Sequence, residues 1–430
     1  MQFFKVIQDA PTADCEPVEG THPLYILYTS GTTAAPKGIV RDTGGTAVAL
    51  TWSMHHMFDI QKKDKYFSTS DIGWVVGHSF IVYGPLLQGA TTVLFEGKPV
   101  GTPNPGIIWS IVEKYKIKGI YTAPTALRVL RKEDPNGDWF KKYDLSSLKH
   151  VAMAGERLDI PTYNWISSQL PKCLINDTYW QTESGLIICC NYLQLHTFKP
   201  KAGSCTKPVP GFNVKVMGEN NKLIAEPYKL GKLVVKLPTP PSFMFSLLGH
   251  DEAFRDKYLK EFPGYYAAGD AGYFDEDGFL YVMSRIDDII NTAGHRLSTS
   301  AMEEALLTHP DIVDAAVVPA NDEIKGEIPV AFVVLKTGKS FDQKLLEKAL
   351  VDVIRKEIGA VASLKTVMIV SKLPKTRSGK ILRAVLRKMI NGVDYTVSPT
   401  IEDLSVIPEI EKIARLHGFT KPGKPITAKL

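Results

Sequence analysis

Short apolar runs alternate with longer segments of helical spacing between Leu24 and about Pro210, and this alternation most limits how the chain can fold. The apolar runs, each ending in a polar or glycine-containing loop, are HPLYILYTSG, ATTVLFEG, IKGIYTAPT, LKHVAMAGE and CLINDTYWQTESG. Segments between them, such as TAVALTWSMHHMF and PGIIWSIVEKYK, have apolar residues at helical spacing. Strand, loop and helix repeated in this order predict a layered α/β domain with a largely parallel sheet. Because ligands bind at the carboxyl ends of such strands, we expect functional residues in these loops.

The pattern changes twice further along the chain. From about residue 208 to 285, FNVKVM, KLVVKL and GFLYVMS are short alternating strands separated by turn residues, which predicts a small antiparallel β-subdomain. Beyond it, we predict helices at TSAMEEALLTH and QKLLEKALVDVIRKEI, and a final helix after Gly379. Strands are predicted at DAAVVPA, IPVAFVVLK and KTVMIV. We therefore expect a large domain over residues 1–286 and a compact α+β domain over residues 287–430.

Composition excludes several classes of protein. The chain has 44% hydrophobic and 23% charged residues, as ordinary globular proteins do. A net charge of +5 is too small to indicate a nucleic-acid or membrane partner. No apolar run reaches the roughly 18 residues that a membrane span needs. The five cysteines are odd in number and form no C-x-x-C pair, which favours reduced thiols in a soluble intracellular protein.

One loop has the residue types of a phosphate site. Residues 28–38 have the sequence YTSGTTAAPKG, which combines hydroxyls, glycines and a lysine. It is not the Walker pattern, because Pro36 precedes Lys37 and no Ser or Thr follows, so a P-loop kinase is disfavoured. Taken alone, the stretch is equally compatible with a polar turn between a strand and a helix.

Four further stretches contain candidate residues. TYWQTESG places the carboxylate of Glu183 beside Thr182, where a hard oxygen ligand for Mg²⁺ would fit, although an acid at a helix start is the simpler interpretation. YYAAGDAGYFDEDGFLYV sets Asp270 between glycines, and its DEDG is a hairpin turn. SRIDDIINTAGHR and the basic loop LPKTRSGK follow, and the second of these could be a solvated charge run.

In this order the motifs point to one family. TSGTTxxPKG, GER, YWQTESG, AAGDAGY, SRIDDIIN…GHR and PKTRSGK resemble the ordered motifs of the adenylate-forming superfamily, and most closely those of short-chain (acetyl- and propionyl-) CoA synthetases. SDIGWVVGHSFIVYGPLLQGATTVLFEG resembles their acyl-pocket region. The resemblance implies an adenylate-forming fold with a mobile C-terminal domain. It also implies conversion of ATP, a short carboxylate and coenzyme A into acyl-CoA, AMP and pyrophosphate, with Mg²⁺ and without nucleic-acid or membrane partners.

The resemblance also implies roles for individual residues. It assigns ATP or AMP contacts to Thr29, Ser30, Gly31, Thr32, Thr33, Lys37, Gly155, Glu156, Asp177, Thr178, Tyr179, Trp180, Gln181, Asp270, Arg285 and Arg296. It assigns catalysis to Lys380, Thr182 and Glu183, with Glu183 holding the metal. The implied acyl pocket consists of Val75, Val76, Ala154 and Trp180. Coenzyme A contacts are implied for Gly294 and Arg355, and a hinge for Asp287.

The acyl pocket indicates the size of the acid. Trp180 would close the pocket to long chains, and acetate-selective members carry Val where this chain has Ala154. The smaller residue leaves room for roughly one extra methylene, a difference of about 1–3 kcal/mol. Propionate is therefore expected to be preferred to acetate, with butyrate or isobutyrate tolerated.

Two departures from the family pattern leave alternatives open. Ala34 stands where family loops have glycine, and only residues 1–23 precede the first predicted strand, where short-chain synthetases carry a long segment. The alternatives are a catalytically impaired chain that lacks the N-terminal part, or an adenylating enzyme with another acceptor. The resemblance implies a mitochondrial matrix location although no import signal is visible, and the cytoplasm is the alternative. The oligomeric state is not indicated.

Overall fold

The computed structural model describes residues 8, 10–29, 37–97, 101–293, 295–336, 342–362, 364–376, 379–397, 401–419 and 425–426, with backbone alone for Asp287, Arg296 and the last two. A five-stranded parallel sheet forms the centre of the large domain, in the order Thr91–Val93, Lys65–Ser68, Gly119–Thr122, His150–Met153, Leu174–Asp177. The strands Gly119–Thr122 and His150–Met153 are buried throughout, because helices cover both faces of the sheet. The predicted parallel sheet is therefore confirmed.

The helices of this domain follow its strands. They are Thr43–Trp52, Val75–Gly77, Gly84–Leu87, Ile107–Tyr115, Pro124–Glu133 and Ile160–Gln169, with π-helical turns at Ser53–Met57 and His78–Tyr83 and a 3₁₀ turn at Phe140–Lys142. Pro124 begins one helix directly after a strand, where its missing N–H costs nothing. Asp159 caps another by accepting from the backbone N–H of Thr162 at 2.9 Å. The loops at the strand ends thus lead into helices of fixed position.

The first strand does not join the parallel sheet. Pro23–Thr29 pairs antiparallel with Lys37–Asp42, which in turn pairs with Ser246–Leu247. The interpretation of YTSGTTAAPKG as a turn between a strand and a helix is therefore wrong, since the loop connects two antiparallel strands. KGIVRD is half-buried and extended, and a helix begins only after Asp42 accepts from the backbone N–H of Gly45 at 2.9 Å.

The β-subdomain has the predicted antiparallel character. Its sheet has the order Leu223–Ile224, Val214–Met217, Gly231–Lys236, Tyr265–Phe274, Leu280–Arg285. The DEDG turn is closed by a bond from the Gly278 N–H to the Asp275 carbonyl at 3.0 Å. Helix Asp251–Tyr258, the 3₁₀ turn Glu219–Asn221 and a pair of short strands, Cys189–Cys190 and Lys207–Pro208, complete this part.

The 3₁₀ turn Ile286–Asp288 lies at the predicted boundary between the large and C-terminal domains. The antiparallel sheet of the C-terminal domain has the order His295–Ser298, Ile289–Thr292, Gly326–Leu335, Ile312–Asp322, and Thr366–Ile369 joins it parallel to Gly326–Leu335. The remaining elements are helices Thr299–Leu307, Gln343–Glu357, Arg383–Ile390 and Val406–Leu416, the 3₁₀ turn Ala360–Ala362 and strands Tyr395–Thr396 and Pro425–Ile426.

Two features of this domain differ from the prediction. The helix after Gly379 is not the last one, because Val406–Leu416 follows it. Pro408, in the first turn of that helix, obscures an amphipathic pattern whose buried residues include Val406, Ile410 and Ala414. The hairpin Ile289–Thr292 with His295–Ser298 was also not predicted.

Two further features of the described residues concern their helices and their cysteines. None of their helices combines the length and hydropathy required to cross a membrane. All five cysteines lie in the described part, and all are free thiols. The large and C-terminal domains have separate apolar clusters. One cluster of the large domain extends as far as Leu280 along the chain, and the first residue of the C-terminal clusters is Ile290.

Candidate active site

The candidate site lies at the carboxyl edge of the parallel sheet, where segments from both domains meet. Strands Gly119–Thr122, His150–Met153 and Leu174–Asp177 end there in parallel register. The residues that follow them include Thr125, Gly155 and Thr178. The predicted placement of functional loops at this edge agrees with the sheet topology.

Asp270 is the centre of a polar network in this region. Its carboxylate is 6% exposed and accepts from the Tyr179 hydroxyl at 2.6 Å, from Arg285 Nη1 at 3.0 Å and from Gln181 Nε2. Gln181 is held in turn by the Tyr266 hydroxyl, which donates to its Oε1 at 3.0 Å. The network fixes the YWQTESG segment against strand Tyr265–Phe274.

Lys380 belongs to a tight turn that contacts the large domain. Its backbone N–H donates to Thr376 Oγ1 at 3.1 Å, and the Gly379 N–H donates to the Thr376 carbonyl at 2.8 Å. Gly379 has φ +87°, and a Cβ there would lie 2.7 Å from Thr125 Cγ2. Glycine is therefore required at this position, both for the backbone and for the approach to Thr125.

The charges around Lys380 come from both domains. Lys380 is exposed to solvent, and charged groups of both domains lie near its side chain. Desolvation lowers the pKa of Lys380, the nearby cations Arg285 and Arg383 lower it further, and Asp270 opposes them. The C-terminal turn thus brings Lys380 within electrostatic reach of the Asp270–Arg285 pair.

Glu183 and Lys37 both lie near Tyr258. Glu183 Oε1 accepts from the Tyr258 hydroxyl at 3.0 Å, and Lys37 Nζ lies 5.9 Å from the ring centroid. Lys257 Nζ lies 5.2 Å from the same centroid. Burial, followed by the proximity of Lys257, lowers the pKa of Lys37 to about 8. Neither lysine forms an ion pair with another described residue, so this positive cluster suits an anionic ligand.

One carboxylate of the site has the chemistry to hold Mg²⁺, with the remaining ligands of the ion left to phosphate and water. In the described part of the chain, no three His, Cys, Asp or Glu side chains are grouped as a metal site. Glu183, whose Oε1 accepts from Tyr258, is the carboxylate that would hold Mg²⁺, an ion that prefers oxygen ligands and keeps several waters.

Three of the four predicted acyl-pocket residues belong to one apolar cluster. Ala154 is buried in it, and Val76 and Trp180 pack against it. The Trp180 ring lies 5.3 Å from that of Phe80, measured between centroids. Val75 is buried but does not belong to this cluster.

The residues predicted for the adenine region differ in their surroundings. Gly155 has φ +105°, and no atom lies within 4 Å of the position that a Cβ would take, so the space beside it is open. Burial would raise the pKa of Glu156, but Arg128, at 3.0 Å, and the Thr125 hydroxyl lower it, so its carboxylate is already paired. Burial raises the pKa of Asp177 to about 7.

The hydroxyl of Thr178 is also already occupied. It donates to the Met153 carbonyl at 2.8 Å and lies 2.8 Å from the Tyr121 hydroxyl. Its side chain is buried. This arrangement fixes the start of the YWQTESG segment to the two neighbouring strands.

One predicted residue is not joined to this site, and several others lie wholly or partly outside the described residues. Arg355 is exposed on helix Gln343–Glu357, and no hydrogen bond or ion pair of the described residues joins it to another predicted site residue. Thr29 and Lys37 are cross-strand partners at the base of the phosphate-type loop. The positions outside the described residues are Ser30, Gly31, Thr32, Thr33, Ala34, Pro36 and Gly294, and only the backbone is described for Asp287 and Arg296.

Comparison with known proteins identifies the family. Residues 3–242 match the family model of AMP-binding enzymes, and residues 301–380 match that of the AMP-binding enzyme C-terminal domain. The chain belongs to the AMP-binding enzyme family. The family predicted from the ordered motifs is thus confirmed.

Relatives of this AMP-binding enzyme include CoA ligases. The mitochondrial acyl-CoA synthetase short-chain family member 3 of Mus musculus is 46% identical over 94% of this chain and 59% of that protein. An acetyl-coenzyme A synthetase of Pyrobaculum aerophilum is 42% identical over 92% of this chain and 59% of that protein. The fold matches the crystal structure of the anthranilate CoA ligase AuaEII in complex with anthranoyl-AMP, with TM-score 0.76, 25% identity and coverage of 90% of this chain and 71% of that one. The chain spans 59–65% of the length of the first curated relatives.

Sequence reasoning missed several residues of this AMP-binding enzyme. Arg157 Nη1 lies 2.6 Å from Glu304 Oε2, which joins the two domains, and the Ile160 N–H donates to Glu304 Oε1 at 3.0 Å. Within the C-terminal domain, Glu303 accepts from Arg383 Nη2 at 2.6 Å. The two glutamates are adjacent on helix Thr299–Leu307, and nothing in its sequence indicates partners so distant in the chain.

Proposed function

We propose that the chain is a short-chain acyl-CoA ligase that forms acyl-CoA, AMP and pyrophosphate from ATP, a small carboxylate and coenzyme A. The observation that supports the proposal is the contact of the Gly379–Lys380 turn with Thr125 of the large domain, with Lys380 within electrostatic reach of the Asp270–Arg285 pair. Its relatives are named as acyl-CoA and acetyl-CoA synthetases, which supports the same activity.

The proposed reaction requires attack by a carboxylate on the α-phosphate of ATP, and both are anionic. Catalysis must therefore come chiefly from positioning and from stabilisation of charge. Asp270 would accept from the ribose hydroxyls, and Arg285 would be oriented by its bond to Asp270. Lys380 would stand between the acid and the α-phosphate, where its ammonium group reduces their repulsion.

The remaining phosphates would lie towards the N-terminal hairpin. Lys37 and the loop from Thr29, with Ser30, Gly31, Thr32 and Thr33, would hold the β- and γ-phosphates, and Thr182 would donate to a phosphate oxygen. Glu183 would hold Mg²⁺, which supplies charge neutralisation when it is bound. The lowered pKa of Lys37 beside Lys257 supports this assignment, because two neighbouring cations are stabilised by an anion between them.

The adenine base would occupy the open space beside Gly155. Asp177, Tyr179 and Trp180 would line the same pocket, and Arg128 would hold Glu156 at its edge. For the second step, rotation of the C-terminal domain about Asp287 would bring Gly294 and Arg355 to coenzyme A. Arg296 would reach ribose or phosphate before that rotation. We propose the mitochondrial matrix as the location, which the names of the mouse relative and others support.

Ala154→Val is expected to move the preference of the enzyme from propionate towards acetate. Ala154 is 5% exposed within the cluster that contacts Trp180, so two added methyl groups would fill the space of roughly one methylene of substrate. The ratio of kcat/KM for propionate to that for acetate should fall by about 10–200-fold. The KM for ATP, measured in the same assays, serves as the control and should not change. A wild-type chain that prefers acetate would contradict the proposed acid.

Pyrophosphate release tests the activity itself. The chain, mixed with ATP, Mg²⁺ and propionate, should release a burst of pyrophosphate without coenzyme A and turn over continuously with it, because the acyl-adenylate is retained until a thiol arrives. The mouse short-chain family member 3 is the positive control. Absence of pyrophosphate release in both conditions would contradict ligase activity of this chain. Continuous turnover without coenzyme A would instead indicate another acceptor.

A further inference from the structure

Arg41 is a buried cation with an unusual set of partners. It is 1% exposed and lies on strand Lys37–Asp42, whose first residue is Lys37. A buried guanidinium ordinarily requires a carboxylate at close range. Within the described part of the chain, no carboxylate oxygen lies within ion-pair distance of Arg41, so its charge is held by other groups.

Those groups are the Tyr25 side chain on the neighbouring strand and main-chain carbonyls of the opposite side of the site. Nη2 donates to the carbonyl of Thr182, and Nη1 donates to the carbonyl of Ser242 and, at 3.4 Å, to that of Glu183. Thr182 and Glu183 lie more than a hundred residues away in the sequence. One side chain therefore ties the strand that begins with Lys37 to the peptide that carries Glu183.

The segment after Glu183 is shaped to receive this guanidinium. Gly185 has φ +63°, and a Cβ on it would lie 2.3 Å from Arg41 Nη1. The Glu183 carbonyl also accepts from the Met244 N–H at 2.8 Å, which holds the same peptide from the other side. Glycine is thus needed at position 185 both for the backbone and for the approach of Arg41.

We propose that Arg41 is a positioning residue that sets the Glu183 carboxylate at a fixed distance from Lys37, and so determines affinity for a Mg²⁺-bound polyphosphate. This inference rests on the function proposed above for the same site. Arg41 would contribute little to binding of the adenosine and α-phosphate, because its bonds go to the carbonyls of Thr182, Glu183 and Ser242 and to Tyr25. None of them goes to the Asp270–Arg285 pair. A lysine cannot replace it, since one ammonium does not reproduce the planar fork that joins two segments.

Titration calorimetry on Arg41→Lys and Arg41→Met tests this role without turnover. We expect the Kd for ATP in the presence of Mg²⁺ to rise about 10-fold or more, while the Kd for AMP changes less than about threefold, because AMP lacks the β- and γ-phosphates. Arg41→Lys retains the charge and separates geometry from electrostatics. Val234→Ala, in the buried core of the β-subdomain, is the control for lost stability and should leave the ratio of the two Kd values unchanged.

Four outcomes would overturn the proposal. If both Arg41 variants weaken ATP and AMP equally, Arg41 supports the fold in general and does not position the polyphosphate. If Val234→Ala changes the ratio as much as they do, the ratio reports stability and the proposal fails. If the wild-type chain binds AMP, but binds ATP with Mg²⁺ no more tightly than AMP, the site has no polyphosphate contact for Arg41 to position. A wild-type chain that binds neither nucleotide would overturn the proposed function, and the inference with it.

Discussion

Lys380→Ala is expected to slow acyl-adenylate formation by about 10²–10³-fold, the usual cost of removing one preorganised donor at a developing charge. Thioester formation from preformed acyl-adenylate and coenzyme A should stay within about threefold of wild type, because that step contains no attack on ATP. Pyrophosphate release measures the first half-reaction. Acyl-CoA formed from preformed acyl-adenylate, corrected for hydrolysis of the adenylate, measures the second.

The control for this substitution lies on the same loop. Lys375 Nζ pairs with Asp314 at 2.5 Å within the C-terminal domain, so Lys375→Ala removes a nearby lysine without removing the one beside Asp270 and Arg285. It should affect both half-reactions little. If Lys380→Ala reduced both half-reactions equally, the role assigned to Lys380 in adenylation would be wrong.

The pH dependence of adenylation provides a second observable for Lys380. Desolvation, with the neighbouring cations Arg285 and Arg383, lowers its pKa, so the ammonium form is lost at lower pH than for a free lysine. The protonated form is the active one in this proposal. The wild-type rate should therefore fall as pH rises through this pKa, and the residual rate of Lys380→Ala should lack that decline.

Sequence patterns predicted those parts of the molecule that local spacing determines. The parallel sheet followed from short apolar runs with loops. Asp177 ends one of its strands, and Thr178 and Gly155 lie in the loops at the carboxyl edge, where ligands were expected. Asp270 was found from its glycine-flanked position, and the structure surrounds it with Tyr179 and Arg285. These features depend on residues near one another in the chain or on motifs whose order is itself informative.

The contacts missed by the sequence prediction join distant segments. Arg41 lies in an alternating strand, where a charged residue is expected to face solvent, yet the fold buries it against the Thr182 and Glu183 carbonyls. The contact between Arg157 and Glu304 depends on how the two domains meet, which no local pattern encodes. Tertiary contacts of this kind override the local preference of a single side chain.

Asp270→Asn is expected to weaken AMP binding by about 10–10²-fold, the range for loss of a hydrogen bond to a charged group in a desolvated site. The carboxylate is the common acceptor for Tyr179, Gln181 and Arg285, and an amide can accept on one side only. The introduced amide would also direct an N–H towards one of these donors. If that donor is Arg285, the attraction between carboxylate and guanidinium would be replaced by repulsion between two N–H groups. Fluorescence titration with AMP measures the loss.

Asp277→Asn is the matched control, because Asp277 is a mostly exposed aspartate of the same β-subdomain that pairs with Lys201 at 2.7 Å. It removes the same charge at a distance from the site and should leave the Kd for AMP within about twofold, since exposed pairs contribute only about 0–1 kcal/mol. Melting temperatures of both variants show whether the fold is retained. A folded Asp270→Asn chain that binds AMP as tightly as wild type would show that Asp270 orders the YWQTESG segment without contacting nucleotide, and the ribose contact would then have to be assigned to another group of the cleft.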